Sequence, residues 1–337
     1  MPSSGKPYVI AIEEHYTDPA VMARGSASRG GGDGGGGSAS GGGGGDRDGA
    51  LVAKLNDLGE VRLREMDSAG IDLQVISHAP SPLQQLDAAD ARQVALQAND
   101  RLHDAVDRNP ERFAAFAGLP TTDPRAAADE LERTVTRLGF KGAMIHGRSR
   151  GEEFHDLKKF WPIYERAQYL DVPIYIHPGP PHPAMAQAYY ADYLADFPAL
   201  SNAAWGFTID TANQVVRMIL SGLFDELPNL KIIIGHMGES IPYVVDRIDQ
   251  ALKRPGNRPV RFKETFSKHF WITTSGHFST PALLCAILEM GIDRVLFSVD
   301  WPYVDNEPGM KWMETVPLSA EDKDKLFNGN ARRLLKL

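Results

Sequence analysis

The chain has 337 residues, of which 42% are hydrophobic and 24% are charged, as in an ordinary globular protein. Its formal net charge of -8 at pH 7 argues against nucleic acid or an anionic membrane as a partner. The N-terminus has no apolar signal core, and no apolar run approaches the roughly 18 residues that span a bilayer. We therefore expect a cytoplasmic protein, either one large α/β barrel or two ordinary domains.

The first predicted strand covers residues 8–12 and ends at the polar triplet Glu13-Glu14-His15. Residues 25–49 then consist mainly of Gly, Ser, Ala and Asp. Such a composition cannot bury side chains, so it predicts a disordered, flexible Gly-rich loop. We interpret this loop as an inert insertion, and a lid over a nearby site is the alternative.

From residue 51 onward, helical and strand patterns alternate. Helices are predicted over residues 51–69, 90–108, 123–138, 160–170, 204–221, 239–252 and 281–290 and near the C-terminus. Further strands are predicted at residues 71–76, 113–117, 142–145, 172–177, 230–234, 270–274 and 294–299. This alternation predicts an α/β fold with one (β/α)8 TIM barrel spanning residues 1–337. A doubly wound open sheet is the alternative, but no GxGxxG motif follows the first strand.

The lone cysteine, Cys285, lies in an apolar helical pattern over residues 281–288. A chain with one cysteine cannot form an intramolecular disulfide, which is compatible with a reducing compartment. We expect Cys285 to be a thiol packed in the core.

Polar residues gather where the predicted strands end. In a (β/α)8 barrel these ends share one face, where active sites are built. Glu13 and His15 are two residues apart, so both side chains point the same way along a strand. Imidazoles and carboxylates together suit a divalent ion such as Zn²⁺, Mn²⁺ or Fe²⁺. The residues at these ends are Glu13, His15, His146, His177, His236 and Asp300.

Each of these residues also has a purely structural explanation. Asp300 could cap the turn that follows it, and His236 could cap the next helix. Glu13 could be a surface carboxylate, and a histidine at a strand end is often a hydrogen-bonded structural residue. These explanations would have to hold at five strand ends together, so a metal-dependent enzyme is the better interpretation.

At these residues the chain resembles the decarboxylase branch of the amidohydrolase superfamily. That branch includes γ-resorcylate (2,6-dihydroxybenzoate), 2,3-dihydroxybenzoate, 5-carboxyvanillate and aminocarboxymuconate-semialdehyde decarboxylases. The resemblance covers most of the chain except the Gly-rich stretch. Its motifs are Glu13-x-His15, Tyr-Ile-His177-Pro, Gly-His236-Met-Gly-Glu239 and Phe-Ser-Val-Asp300-Trp-Pro.

The resemblance implies a single divalent metal ion, Zn or Mn, and a homodimer or homotetramer. Strand four carries His146 where binuclear relatives have a metal-bridging lysine, which favours a one-metal site. The implied metal ligands are Glu13, His15, His177 and Asp300.

The resemblance further implies that His236 and Glu239 form a catalytic pair and that Arg247 reaches the substrate. A surface ion pair with the acidic neighbours on its helix is the alternative role for Arg247. His78 and His146, at two other strand ends, are expected to contact the substrate and tune its selection.

The predicted reaction is the non-oxidative decarboxylation of an ortho-hydroxy aromatic (hydroxybenzoate-type) acid, a small aromatic carboxylate. Asp300, or a water that it controls, would protonate the ring carbon bearing the carboxylate, and burial could raise its pKa for that role. One alternative is hydrolysis of a lactone, ester or amide by a metal-activated water with Asp300 as general base. The other is a binding module that has lost activity.

Overall fold

The computed structural model describes residues 6–28, 46–79 and 82–337. In chain order its strands are β1 (Ile10–Tyr16), β2 (Leu73–His78), β3 (Phe113–Ala115), β4 (Ala117–Gly118), β5 (Ala143–His146), β6 (Ile174–His177), β7 (Ile232–Ile234), β8 (Lys253–Arg254), β9 (Arg258–Pro259), β10 (Phe270–Thr273) and β11 (Val295–Leu296). Parallel pairing forms a three-stranded sheet, β1-β2-β3, and a six-stranded sheet, β11-β10-β7-β6-β5-β4. Strands β8 and β9 form a separate antiparallel hairpin.

The helices are α1 (Pro19–Ser28), α2 (Asp46–Asn56), α3 (Glu60–Ala69), α4 (Ala88–Arg108), α5 (Pro124–Leu138), α6 (Trp161–Leu170), α7 (Pro183–Tyr189), α8 (Gly206–Leu220), α9 (Leu223–Glu226), α10 (Ile241–Ala251), α11 (Phe262–His269), α12 (Thr280–Met290), α13 (Asn306–Thr315), α14 (Ala320–Asp324) and α15 (Asn330–Leu335). Across the described ranges, no helix combines the length and the apolar character that crossing a bilayer requires.

The predicted α/β alternation with parallel strands is therefore present. The predicted helix over residues 51–69 is wrong as a single element, because α2 ends and α3 begins within it. The Asp57 carboxylate accepts hydrogen bonds from the backbone N–H groups of Gly59 and Arg62, which satisfies donors at the start of a new helix. The predicted strand over residues 113–117 is interrupted at Phe116, whose N–H donates to the Ile76 carbonyl at 2.9 Å.

Helices α1 and α2 extend into both ends of the predicted Gly-rich loop, since residues 25–28 and 46–49 are helical. The rest of that loop, residues 29–45, lies outside the described residues. Its predicted disorder therefore stays a prediction.

Alternation along the strands divides the buried side chains into two groups. An inner core includes Met144, Tyr175 and Ile233, and an outer core packed against the helices includes their neighbours along each strand. Because successive strand residues face opposite sides, the residue two positions after an inner-core residue also faces inward. By this rule, the side chains of His146 and His177 lie on the inner side of the sheet.

Strand β1 departs from this rule, and the departure shapes the site. Ile10 and Ile12 belong to the inner core, whereas Tyr16 belongs to the outer core. An irregularity in the pairing with β2 lies between Ala11 and Glu14. Such a bulge inserts a residue and reverses the faces beyond it. Glu13 and the preceding residue, Ile12, therefore both face inward.

β1 and the segment after β11 are also in contact, although β1 and β11 are edge strands of different sheets. The N–H of His15 in β1 donates to the Trp301 carbonyl beyond β11 at 2.7 Å. The N–H of Glu13 donates to Ser298 Oγ at 2.8 Å. These bonds hold the end of β1 beside the end of β11, where the predicted metal ligands lie.

Candidate metal and active site

The four predicted metal ligands lie together at the carboxyl ends of β1, β6 and β11. Each offers one ligand atom, and these atoms all lie within 4.8 Å of one another. His15 Nε2 is 3.1 Å from Asp300 Oδ1, and His177 Nε2 is 3.2 Å from Glu13 Oε1. Two imidazoles and two carboxylates form the mixed N/O set that a borderline divalent cation prefers.

The hydrogen bonds of these groups test whether a cation fits. Considering only the described residues, Glu13 Oε1, His15 Nε2 and Asp300 Oδ1 are buried without a hydrogen-bond partner. His177 Nδ1 lies 2.8 Å from the Pro178 carbonyl, which only accepts, so Nδ1 carries a proton and, in the neutral imidazole, Nε2 offers a lone pair. Buried lone pairs without donors are costly, and a divalent cation would satisfy them. The donor set therefore fits a metal ion.

The second oxygen of Glu13 is fully occupied by hydroxyl groups. Tyr175 Oη, Ser275 Oγ and Thr273 Oγ1 all donate to Oε2, the last at 3.2 Å. Tyr175 and Thr273 face inward by the strand alternation that also turns His177 inward. These hydroxyls turn Oε1 toward the neighbouring imidazoles and support a one-oxygen ligand.

Charge around Glu13 keeps it ionised. Burial opposes its ionisation, but the His236, His177 and His15 imidazoles outweigh burial and hold the pKa of Glu13 below its usual range. Burial likewise lowers the pKa of His15 to about 4, although Glu13 opposes this shift. A neutral His15 and an ionised Glu13 are the protonation states that metal ligands need.

Asp300 lies in a backbone conformation that is unusual for a residue with a side chain. Its φ of +77° falls in the left-handed region, which costs on the order of 1–3 kcal/mol and is concentrated at functional sites. Burial, and then the negative charge of Glu13, raise the pKa of Asp300 to about 7, against the opposing influence of His236 and His177. Near neutral pH this carboxyl group can therefore hold or release a proton.

The side chains of His236 and Glu239 lie close together, but the segment that joins them is not a right-handed helix. The chain from His236 to Ser240 has positive φ throughout, and the right-handed helix α10 begins only at Ile241. This left-handed turn brings His236 Nε2 to 3.9 Å from Glu239 Oε1 and 3.5 Å from Glu13 Oε1. Gly235 and Gly238 flank the first two residues of this turn, and a side chain at either glycine would be crowded by its neighbours.

His236 is the most basic histidine of the site. Burial disfavours its charged form, but the carboxylates of Glu13, Glu239 and Asp300 raise its pKa to about 9. Its Nδ1 lies 2.8 Å from the Ser275 carbonyl and must donate to it. The protonated Nε2 is therefore available to an anionic group in the cavity, toward which the side chain is 23% exposed.

The metal group opens into a cavity of about 840 Å³. Several residues that line this cavity were not predicted from the sequence. Tyr303 directly follows the Asp300-Trp-Pro motif, whereas the beginning of α8 offered no such signal. The unassigned lining residues include Phe207, Thr208, Met237, His277 and Tyr303.

Cys285 also lines this cavity and is only partly buried, so the predicted core thiol is wrong. Its helix α12 buries Leu283, Ala286 and Met290 against the core. Cys285 lies outside this buried face, on the side of α12 that lines the cavity.

The three remaining predicted site residues differ in placement. His146 is buried, and its ring centroid lies 4.7 Å from that of His177. His78 shares the outward face of β2 with Ile76; its Nδ1 contacts the Ala79 carbonyl and its Nε2 accepts the Asp18 N–H, so the structure does not bring it to the cavity. Arg247 is exposed on α10, apart from the cavity lining that the described residues form.

Comparison with known proteins identifies the family. The sequence profile described as "Amidohydrolase" matches residues 52–337. The chain is therefore a member of the amidohydrolase family. It is 41% identical over 298 residues to the γ-resorcylate decarboxylase of Polaromonas sp. (strain JS666), covering 85% of this chain and 90% of that protein.

Solved structures of this family agree. A 2,6-dihydroxybenzoate decarboxylase in complex with 2,6-dihydroxybenzoate has a TM-score of 0.85 and 37% identity, over 98% of this chain and 99% of the other. A dihydroxybenzoic acid decarboxylase from Polaromonas sp. JS666, with bound manganese and the inhibitor 2-nitroresorcinol, has a TM-score of 0.86 and 37% identity, over 98% of both chains. The predicted decarboxylase branch and the predicted divalent metal cofactor of this amidohydrolase are confirmed.

Proposed function

We propose that this amidohydrolase is a manganese-dependent, non-oxidative decarboxylase of ortho-hydroxy aromatic acids, with 2,6-dihydroxybenzoate (γ-resorcylate) among its substrates. The observation that carries the proposal is the buried ligand group beside the cavity, with converging lone pairs that have no hydrogen-bond partner among the described residues. The decarboxylase relatives, one with bound manganese, support the choice of reaction and metal.

In this proposal Glu13, His15, His177 and Asp300 hold the metal ion. When bound, the ion supplies positive charge that orients a carboxylate and its neighbouring phenolate oxygen and favours the ionised phenol. The chain itself supplies a second positive charge, because the pKa of His236 is raised to about 9. Its Nε2–H donates to an oxygen of the anionic substrate, and Glu239 keeps the imidazolium in place from 3.9 Å.

Asp300 is the proposed acid. Its carboxyl group, whose pKa is raised by burial, donates a proton to the ring carbon that bears the carboxylate. The ring loses its aromaticity at this step. The bond between that carbon and the carboxylate then breaks, CO₂ leaves, and the electron pair of the bond returns to the ring. Asp300 afterwards regains a proton from solvent, so no external oxidant or reductant is needed.

Substrate selection remains a proposal for His146, whose Nε2 is buried without a hydrogen-bond partner in the described ranges. Its imidazole beside His177 offers a polar contact near the ring of the substrate. We do not extend this role to His78, whose two ring nitrogens are engaged with protein groups.

The deciding experiment loads the protein with Mn²⁺ or Zn²⁺ and offers hydroxybenzoates and lactones in parallel. We expect Mn²⁺-dependent loss of 2,6-dihydroxybenzoate absorbance with one CO₂ released per ring. Turnover of lactones without CO₂ release from any hydroxybenzoate would overturn the proposal in favour of hydrolysis.

We also propose that the parallel strands close into a (β/α)8 barrel, which the bonds between the ends of β1 and β11 support. A homodimer or homotetramer is proposed because large apolar side chains are exposed together in and after α7, namely Tyr189, Tyr193, Phe197 and Trp205. Light scattering after size-exclusion chromatography tests the assembly, and a monomer would refute it. A cytoplasmic location stays a prediction.

A further inference from the structure

Glu14 is a buried carboxylate with no role in the reaction proposed above. It lies between the two metal ligands of β1 and is fully buried. Its Oε1 accepts hydrogen bonds from Ser298 Oγ and the Val299 N–H, both at 3.0 Å, and its Oε2 accepts the Trp301 N–H at 2.9 Å. All three donors come from the segment that carries Asp300.

These bonds surround Asp300 along the chain. The two N–H groups belong to the residues immediately before and after it, so one carboxylate holds the backbone of both neighbouring residues. The Asp300 carbonyl in turn accepts from the N–H groups of Tyr303 and Val304, at 2.9 and 3.1 Å. Since a φ of +77° is unfavourable for an aspartate, the surrounding bonds must enforce it.

The same segment is tied to β1 at every position of the triplet. Ser298 Oγ, which donates to Glu14, also accepts the Glu13 N–H at 2.8 Å. The His15 N–H donates to the Trp301 carbonyl at 2.7 Å. Ligands from two distant parts of the chain are thereby held in one frame, in which Glu14 supplies the side chain.

A buried positive charge accompanies Glu14. Arg62 is fully buried, and its guanidinium lies 4.1 Å from the Trp301 ring centroid and donates to the His15 carbonyl at 2.5 Å. It therefore packs on both sides of the frame, on the β1 end and on the residue after Asp300. The hydrogen bonds of Glu14 and the nearby Arg62 charge together explain why a second glutamate follows Glu13 and faces away from the cavity.

We infer that Glu14 is a positioning residue that sets Asp300 in its metal-binding conformation by holding the N–H groups of the residues on either side of it. The inference depends on Asp300 being a ligand and does not depend on which reaction follows. Metal binding is therefore the informative measurement.

The test is Glu14→Gln, whose amide keeps the shape but cannot accept the Trp301 N–H while its oxygen serves the other two donors. We expect at least an approximately tenfold loss of Mn²⁺ affinity, as for other groups that orient metal ligands, measured by competition with a chelator on folded protein. The matched control is Glu130→Gln, another buried carboxylate that accepts hydrogen bonds from Asn99 and Arg133 on α4 and α5. It should lose stability and keep Mn²⁺ affinity.

Unchanged Mn²⁺ affinity in folded Glu14→Gln overturns the inference, as does an equal loss in both variants. Asp300→Asn in the same assay separates the two proposals. If it keeps full affinity, Asp300 is not a ligand and both fail; if it loses affinity and Glu14→Gln does not, only this inference fails. Should Glu14→Gln not fold, Glu14→Asp, which keeps the charge but has a shorter reach to the three donors, decides: a loss of at least about threefold supports the inference and unchanged affinity overturns it.

Discussion

Two buried polar groups of this amidohydrolase contain histidines and an aspartate, yet they differ in one respect. In the metal group, atoms of Glu13, His15 and Asp300 are buried without hydrogen-bond partners within the described structure. A second group beneath the loop after β5, here called the Arg148 cluster, consists of Arg148, Ser149, His155, Asp210 and Gln214.

In the Arg148 cluster most of the polar atoms have protein partners, although Asp210 Oδ1 and Gln214 Oε1 also lack a hydrogen bond within the described residues. Arg148 forms a buried ion pair with Asp210 and donates to the Pro180 carbonyl at 2.6 Å. The two ring nitrogens of His155 lie 3.0 Å from Ser149 Oγ and 3.4 Å from Gln214 Nε2. Burial and residue type therefore do not mark a ligand site. What distinguishes the metal group is that its two imidazoles and two carboxylates each offer one ligand atom, and these atoms all lie within 4.8 Å of one another.

The largest expected contrast is between the two aspartates. Asp300→Asn removes the proposed acid and a ligand, so kcat for 2,6-dihydroxybenzoate should fall about 10³-fold while the metal-free protein keeps or gains stability. Asp210→Asn leaves Arg148 buried without its ion pair and should cost about 3–5 kcal/mol of unfolding free energy. Steady-state CO₂ release and chemical denaturation measure the two effects. Near-normal turnover by Asp300→Asn would remove it from the mechanism.

The histidines should separate in the same way. His177→Ala should weaken Mn²⁺ binding by at least about 100-fold, more than is typical for a residue that only orients a ligand. His155→Ala should lower the melting temperature of the metal-free protein and keep its stabilisation by added Mn²⁺. Thermal scans with and without Mn²⁺ distinguish them, and equal Mn²⁺ stabilisation of both variants would contradict the comparison.

A smaller effect is expected at the hydroxyls that hold Glu13. Tyr175→Phe deletes one of its donors and should reduce Mn²⁺ affinity about tenfold. Tyr164→Phe is the control, since Tyr164 is equally buried but its hydroxyl has no hydrogen-bond partner among the described residues. Isothermal titration with Mn²⁺ measures both. A similar decrease in the two variants would mean that the hydroxyl of Tyr175 does not orient Glu13.

The smallest effect is a pH dependence within the Arg148 cluster. Burial, and then the charges of Arg148 and Lys159, lower the pKa of His155 from 6.5 to about 3. The unfolded chain therefore binds this proton more readily, so the stability from a neutral His155 is complete above about pH 6.5 and is lost as the pH falls toward 3. His155→Gln should lose fewer degrees of melting temperature than the wild type between pH 7 and pH 5. Parallel melting curves of both proteins would refute this.

Much of the fold followed from local pattern. Parallel strands buried on both faces read as apolar runs, so each predicted strand has an observed counterpart within a few residues. The split between α2 and α3 was missed because it depends on one side chain, Asp57, capping a helix inside an uninterrupted apolar period.

The alternation of side chains between the two faces of a strand (here called strand parity) also explains which histidines were placed correctly. His177 follows the inward Tyr175 by two residues, and His78 follows the outward Ile76 by two residues. Counting parity along β2 would have excluded His78 from the site. The same count would have misplaced Glu13, because only the pairing irregularity with β2 reverses the faces there.

By itself the sequence determined the ligand types, their places at strand ends and the motifs of the amidohydrolase decarboxylases. Those features are local, since each depends on a short apolar run and the polar residue that follows it. The tertiary structure supplied the reason why Glu13 faces the other metal ligands, and it alone showed that Glu14 binds the segment that carries Asp300. The physical reason is that these placements rest on a bulge and on hydrogen bonds between β1 and the segment after β11, whose partners lie more than 280 residues apart.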